Sequence, residues 1–149
     1  MKIRLLAILS AVLLTGCNQD RSVTGEVRTD KGPIISRLPK LGQVEAVWWT
    51  VTNLTKDSFL SPPAHPIYRI CGFAQLGESE AKTISEHYVW VKMPADWKPD
   101  LMTTNINTNS IEWNGCDLFT RDFMPPLIGG QLAFERHLGI IYFDMGVEK

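Results

Sequence analysis

The chain has 149 residues, enough for one domain, and its 44% apolar and 21% charged content is that of a folded globular protein, not a disordered one. Its formal charge is −1, and no cluster of Lys and Arg follows the first four residues. The positive field that nucleic-acid binding or a polybasic membrane patch requires is therefore missing.

Met1-Lys2-Ile3-Arg4 is a short positive segment, and Leu5 to Leu14 is apolar apart from Ser10. A stretch of this length falls short of the roughly 20 apolar residues that span a bilayer as a helix. Charge placement, length and the small residues that follow are those of a secretory signal over residues 1–16. Removing Lys2 and Arg4 with it takes the charge of the remainder from −1 to near −3. The tetrad Leu14-Thr15-Gly16-Cys17 resembles the lipobox of bacterial lipoproteins. That resemblance implies a thioether-linked diacylglycerol on Cys17, cleavage just before it, and acylation, typically with palmitate, of the new amine. One acyl chain holds a protein only marginally at about 0.8 kcal/mol per buried CH₂, so two or three are needed for stable anchoring. Asn18, where an Asp resembles an inner-membrane retention signal, implies the outer membrane in preference to the inner. The expected location is the periplasmic face of the cell envelope, with the membrane as a partner through the lipid on Cys17.

Residues 17–42 are polar, with two Pro and three Gly, and read as a lipidated N-terminus and tether. Weak alternation over Ser22 to Thr29 suits an edge strand. Residues 43–149 are expected to form a β-rich domain. Val44 to Thr52 is the strongest strand, rich in β-branched and aromatic residues, with apolar groups on both faces. Asn53 to Pro66 carries Pro62-Pro63 and His65-Pro66, which rule out helix. Ile67 to Leu76 is a second strand. Gly77 to Ser85 suits a single helical turn or a long hairpin connection. Glu86 to Met93 reads as a third strand, Pro94 to Asp100 as a Pro-bounded turn, and Leu101 to Asn109 as an edge strand. Ser110 to Trp113 leads into Asn114-Gly115, a common hairpin dipeptide. Phe123 to Gly130 is irregular, and Gln131 to Met145 alternates, with Gly139 marking a bulge or dividing two strands. No segment of ten residues or more sustains an apolar period of 3.6. The fold expected is mainly β, a small antiparallel sandwich or half-barrel with room for one short helix.

With Cys17 acylated, Cys71 and Cys116 remain. In an oxidising periplasm this pair is expected to form a disulfide, with two buried free thiols or a metal or redox pair as the alternatives. The closed loop of about 46 residues would be worth roughly 4 kcal/mol.

Chemistry-bearing motifs are sparse. His65, His87 and His137 are far apart and match no metal-ligand spacing. There is no GxSxG, no SxxK and no phosphate-binding glycine loop. Glu78 with Glu80, and Asp117 with Asp122, are carboxylate pairs of the kind common on solvated loops. The expectation is a protein that is not an enzyme and holds no cofactor or metal. Five tryptophans are many for a domain of this size. Adjacent Trp48 and Trp49 must point to opposite faces of their strand. Trp49 and Trp97, the latter in its Pro-flanked turn beside Asp96 and Asp100, are read either as core residues or as the candidates for contact with a protein partner.

A binding lipoprotein is thus the leading reading. The layout of lipobox, short tether, β-rich domain and two cysteines some 45 residues apart is similar to small periplasmic lipoproteins regarded as immunity proteins against type VI secretion effectors. That resemblance implies a domain that caps a toxin's active site, with Asp96 and Asp100 as contacts. The alternatives are a structural or assembly lipoprotein of an envelope complex and, behind both, an enzyme acting on peptidoglycan or lipid.

Overall fold

The computed structural model describes residues 25–54, 67–101, 106, 108–125 and 129–148. The signal segment, Cys17 and His65 lie outside the described residues, as does most of the edge strand expected over 101–109.

Six strands form one antiparallel sheet: β1 Val44–Asn53, β2 Ile67–Leu76, β3 Val91–Lys92, β4 Asn114–Gly115, β5 Gly129–Glu135 and β6 Ile140–Glu148. Their spatial order is β1-β2-β6-β5-β4-β3, and the sheet stays open. The mainly β, antiparallel expectation holds, and the open form is a single sheet with helices where a second sheet would lie. β1, β2 and β6 form its backbone, with continuous pairing from Trp48↔Phe73 and Phe73↔Tyr142 outward. These strands read correctly from sequence because β-branched and aromatic residues fill both of their faces. Gly139 divides β5 from β6, at φ +66 in the turn that joins them, a conformation glycine adopts without a Cβ clash.

Both faces are covered. On one, Val47, Trp49, Ile70, Ala74, Leu132, Phe134, Ile141, Phe143 and Met145 meet Ile34, Leu38, Leu41, Ile84, Phe119 and Met124 in a single buried cluster. The latter group comes from α1 Gly32–Arg37 and the turn after it, α2 Glu78–His87, and α3 Asp117–Phe123 with the residue that follows it. On the other face, Cys71, Phe73, Ala133, Ile140 and Tyr142 meet Leu101, Ile106 and Trp113, with Trp48, Met93, Trp97 and Ile111 packed around them.

Several expectations are corrected. Ile34, Leu38 and Leu41 are at most 1% exposed. Their spacing of four and three residues is one helical face, so residues 32–41 belong to the domain and not to a tether. Of the edge strand expected over 22–29, the described part is one bridge, Arg28 to Trp49, with Trp49 N–H donating to Arg28 at 3.0 Å and Arg28 N–H to Trp49 at 2.7 Å. The polar 77–85 stretch is the start of a full helix, α2, which buries Ile84 alone. That helix takes Glu86 and His87 from the expected third strand, of which only Val91–Lys92 joins the sheet. Asn114-Gly115 is itself a strand, not a hairpin turn, and Cys116 then caps α3, its Sγ accepting from Phe119 N–H at 3.5 Å.

Cys71 and Cys116 are free thiols, which corrects the expected disulfide. Cys71 sits in β2 on the face away from the helices, whereas Cys116 packs against the helix-side cluster. Between β2 and β4, which ends at Gly115, lie β6 and β5. Three interstrand steps amount to about 14 Å, twice the span a disulfide tolerates.

Candidate functional site

The loop from Pro94 to Leu101 carries three of the four residues singled out as partner contacts. It opens with a turn at Ala95-Asp96 closed by Trp97 N–H donating to Pro94 C=O at 2.9 Å. The Trp97 ring then lies edge-on to Trp113 at 6.0 Å and to Tyr142 at 5.6 Å. Tyr142 and Trp113 also pack on Phe73, at 5.5 and 5.9 Å. Aromatic pairs at these separations favour one geometry over others and hold the loop down. Pro99 and Leu101 are buried beneath it, while Asp96 and Lys98 stay exposed.

An ion-pair triad fixes the far end. Arg69 on β2 and Asp144 on β6 are diagonal neighbours on the loop-covered face, since Arg69 pairs with Gly146 and Cys71 with Asp144. Arg69 Nε donates to Asp144 Oδ1 at 2.8 Å and its second nitrogen to Oδ2 at 2.5 Å, a bidentate fork. The same nitrogen also bonds Asp100 Oδ2. The Asp144 hydrogen bond, helped by Asp100 and outweighing partial burial, holds the guanidinium charged far above neutral pH. Burial, and then the Asp144 charge, pushes the Tyr142 phenol up, so it stands neutral and its oxygen accepts Asp100 N–H at 3.3 Å. Burial also raises the Cys71 thiol to about 11. Two carboxylates thus face one guanidinium, and the triad keeps a net negative charge.

The four expected contacts are therefore unequal. Asp96 is exposed and open to a partner, and Trp97 is half-buried with one side spent on Trp113 and Tyr142. Asp100 is exposed but already paired. Trp49 is 3% exposed, which corrects its reading as a contact. Its indole N–H donates to Asp30 C=O at 3.0 Å and Arg28 lies over its ring at 5.1 Å, so it fastens the 25–30 segment to the sheet. No family model, curated protein or solved structure matches the chain. Arg69, Asp144 and Tyr142 escaped the sequence reading. Their signal was present: one cation alone in an apolar strand, and one carboxylate in the apolar middle of another.

A second concavity, of about 600 Å³, lies beside the β5–β6 turn and is lined by Glu45, Glu78, Lys82, Arg136 and His137 among others. Arg136 Nε is held there by Ser85 Oγ at 3.0 Å. Both signs of charge are mixed around it, and the Arg136 and His137 side chains are exposed. Among the described residues no group of three or more His, Cys, Asp or Glu is placed to hold a metal ion, and no helix is long and apolar enough to cross a membrane.

Proposed function

We propose that this chain is a lipid-anchored envelope protein, more specifically of the outer membrane, whose β domain works by holding a protein partner, and that the partner is a secreted effector toxin it neutralises. The observation that carries the anchor is Leu14-Thr15-Gly16-Cys17 behind a positive segment and a ten-residue apolar run. Seven residues separate Cys17 from Gly25, where the described chain begins. The anchor and the domain are then at most about 29 Å apart along the chain.

The binding half is supported by the Pro94–Leu101 loop. A loop already ordered by aromatic contacts and an ion pair loses little freedom on docking, which favours affinity. Asp96 at its tip, together with the net negative triad behind it, complements a basic patch, and charge of this kind steers encounter. Toxins that act on anionic substrates carry such patches in their clefts, and an acidic loop is suited to fill one.

Two measurements test the reading. Mass spectrometry of the envelope fraction should find an acylated N-terminal Cys17, and Cys17→Ser should return an unmodified, unanchored chain. An unmodified N-terminus in the parent would sink the anchor. Cells lacking the gene should become sensitive to one toxin of a neighbouring attacker and be rescued by the parent but less well by Asp96→Lys. Unchanged survival against all attackers, with envelope-complex subunits recovered on the domain, would replace immunity by the assembly role.

A further inference from the structure

The opposite edge of the sheet carries a feature that the loop does not use. We infer that residues 88–92, the stretch that leaves α2 extended at Tyr88 and ends in β3, are the seat of an isologous, strand-to-strand contact with a second copy of this chain, with the two-fold axis at Trp90. This goes beyond the proposed function and depends on neither the lipid nor the toxin.

Tyr88 and Trp90 are committed to the core. Trp90 lies 5.0 Å from both Phe119 and Phe134, and Tyr88 lies 5.2 Å from Phe119. Alternation along an extended chain then turns Val89 and Val91 outward. They are 86% and 67% exposed, more than any other large apolar residue described. Met93 N–H donates to Trp113 C=O at 2.9 Å, and Val91 stands opposite Gly115. In an antiparallel ladder the backbone groups of alternate residues face alternate sides. Val91 and Met93 therefore face β4, and the N–H and C=O of Trp90 and Lys92 point away from it. Among the described residues no strand lies beyond β3 in the sheet. An edge with free backbone groups and apolar side chains is a template for another strand.

The pattern is self-complementary. With the axis at Trp90, its N–H and C=O exchange bonds with the partner's Trp90. Val89 then faces the partner's Val91, and the reverse pair repeats it. Both are non-hydrogen-bonded pairs, the closer kind, with Cα atoms about 4.5 Å apart. Lys92 falls opposite the partner's Tyr88, so the two lysines never oppose each other as like charges. β1, by contrast, has its edge partly taken at Trp49 by the Arg28 bridge.

The register gives a sharp test. In the full chain carrying Cys17→Ser and Cys116→Ser, with buried Cys71 unchanged, the variants Val89→Cys and Val91→Cys are prepared singly and mixed, then oxidised mildly. The mixture should yield a species of doubled mass at several-fold the amount seen from either variant alone, because only residues 89 and 91 face each other. Dimer from Val91→Cys alone in equal amount would put the axis elsewhere and overturn the proposal, as would no excess in the mixture. Lys92→Pro removes an outward N–H and leaves the β4 ladder intact. It should return the crosslink to background with the melting profile unchanged. Crosslinking that survives it would show that no backbone ladder joins the copies.

Discussion

On the helix side, the sheet meets Ile34, Leu38, Ile84, Phe119 and Met124, carried by three helices and the residues that end them, and the contact is mainly apolar. On the other side it meets Trp97, Leu101, Ile106 and Trp113, carried by a stretch whose described residues form no helix longer than the three-residue turn Thr108–Ser110. That segment cannot satisfy its own backbone as a helix does, so side chains tie it down: stacked aromatics, the Tyr142 hydroxyl and the Arg69 triad. Both faces are closed by burial with a few hydrogen bonds, and the loop side adds an ion-pair triad to them. That addition leaves polar groups at the surface, and that is where a partner can be read.

If this contrast is right, truncation on the helix side costs most. Phe143 is fully buried in the middle of β6. Phe143→Ala should destabilise the fold by about 3–5 kcal/mol, measured by urea denaturation. A loss under about 1 kcal/mol would mean that the helix layer packs loosely. On the loop side the contribution that sets it apart is ionic. Arg69→Met keeps most of the apolar stem and leaves Asp100 and Asp144 unpaired near an aromatic cluster. A loss of about 2 kcal/mol is expected, since hydrogen bonds to charged groups are worth about 1.5–3 kcal/mol and part of the triad is solvated. Proteolysis within 94–101 should quicken more than global unfolding does. Equal acceleration everywhere would erase the distinction between the faces.

The two faces also differ in how far they could be read in advance. β1, β2 and the β5–β6 pair were legible because period-2 patterning and β-branched residues point the same way. α1 was not, since Ile34, Leu38 and Leu41 make only three marks of a helical face within a Pro- and Gly-bearing stretch. α2 exposes all but one side of a polar helix, so its hydrophobic period is nearly silent. The triad was invisible as a unit because Arg69, Asp100 and Asp144 meet only through strand order. The cysteines misled for the same reason: 45 residues of separation says nothing about which face each thiol takes.

A smaller effect separates the indoles. Trp49→Phe keeps the ring on the helix-side cluster but deletes the N–H that Asp30 C=O accepts and weakens the Arg28 stacking. It should cost about 1 kcal/mol and expose residues 25–30 to faster amide exchange. Unchanged exchange there would show that the Arg28 bridge alone holds the segment.

The thiols give the finest discrimination. Cys116 is half-buried beside the start of α3, and Cys71 is 1% exposed with its thiol pushed up to about 11 by burial. A thiol reagent at neutral pH should label Cys116 in the native domain and reach Cys71 only after unfolding. The raised Cys71 value also carries a sign. An unfolded cysteine ionises near its ordinary value of 9.0, while the folded thiol stays neutral until about 11. The contribution of this group is thus fully present below pH 9 and is lost as pH climbs from there to about 11. The denaturation midpoint should fall across that window, and Cys71→Ala should flatten the fall. An equal slope in both chains would assign the alkaline loss to other groups, with the tyrosines Tyr142 and Tyr88, both pushed up by burial, next to be tested. Their steps would come at higher pH than the thiol's, because their ordinary values start higher, so the position of the loss along the pH axis tells thiol from phenol.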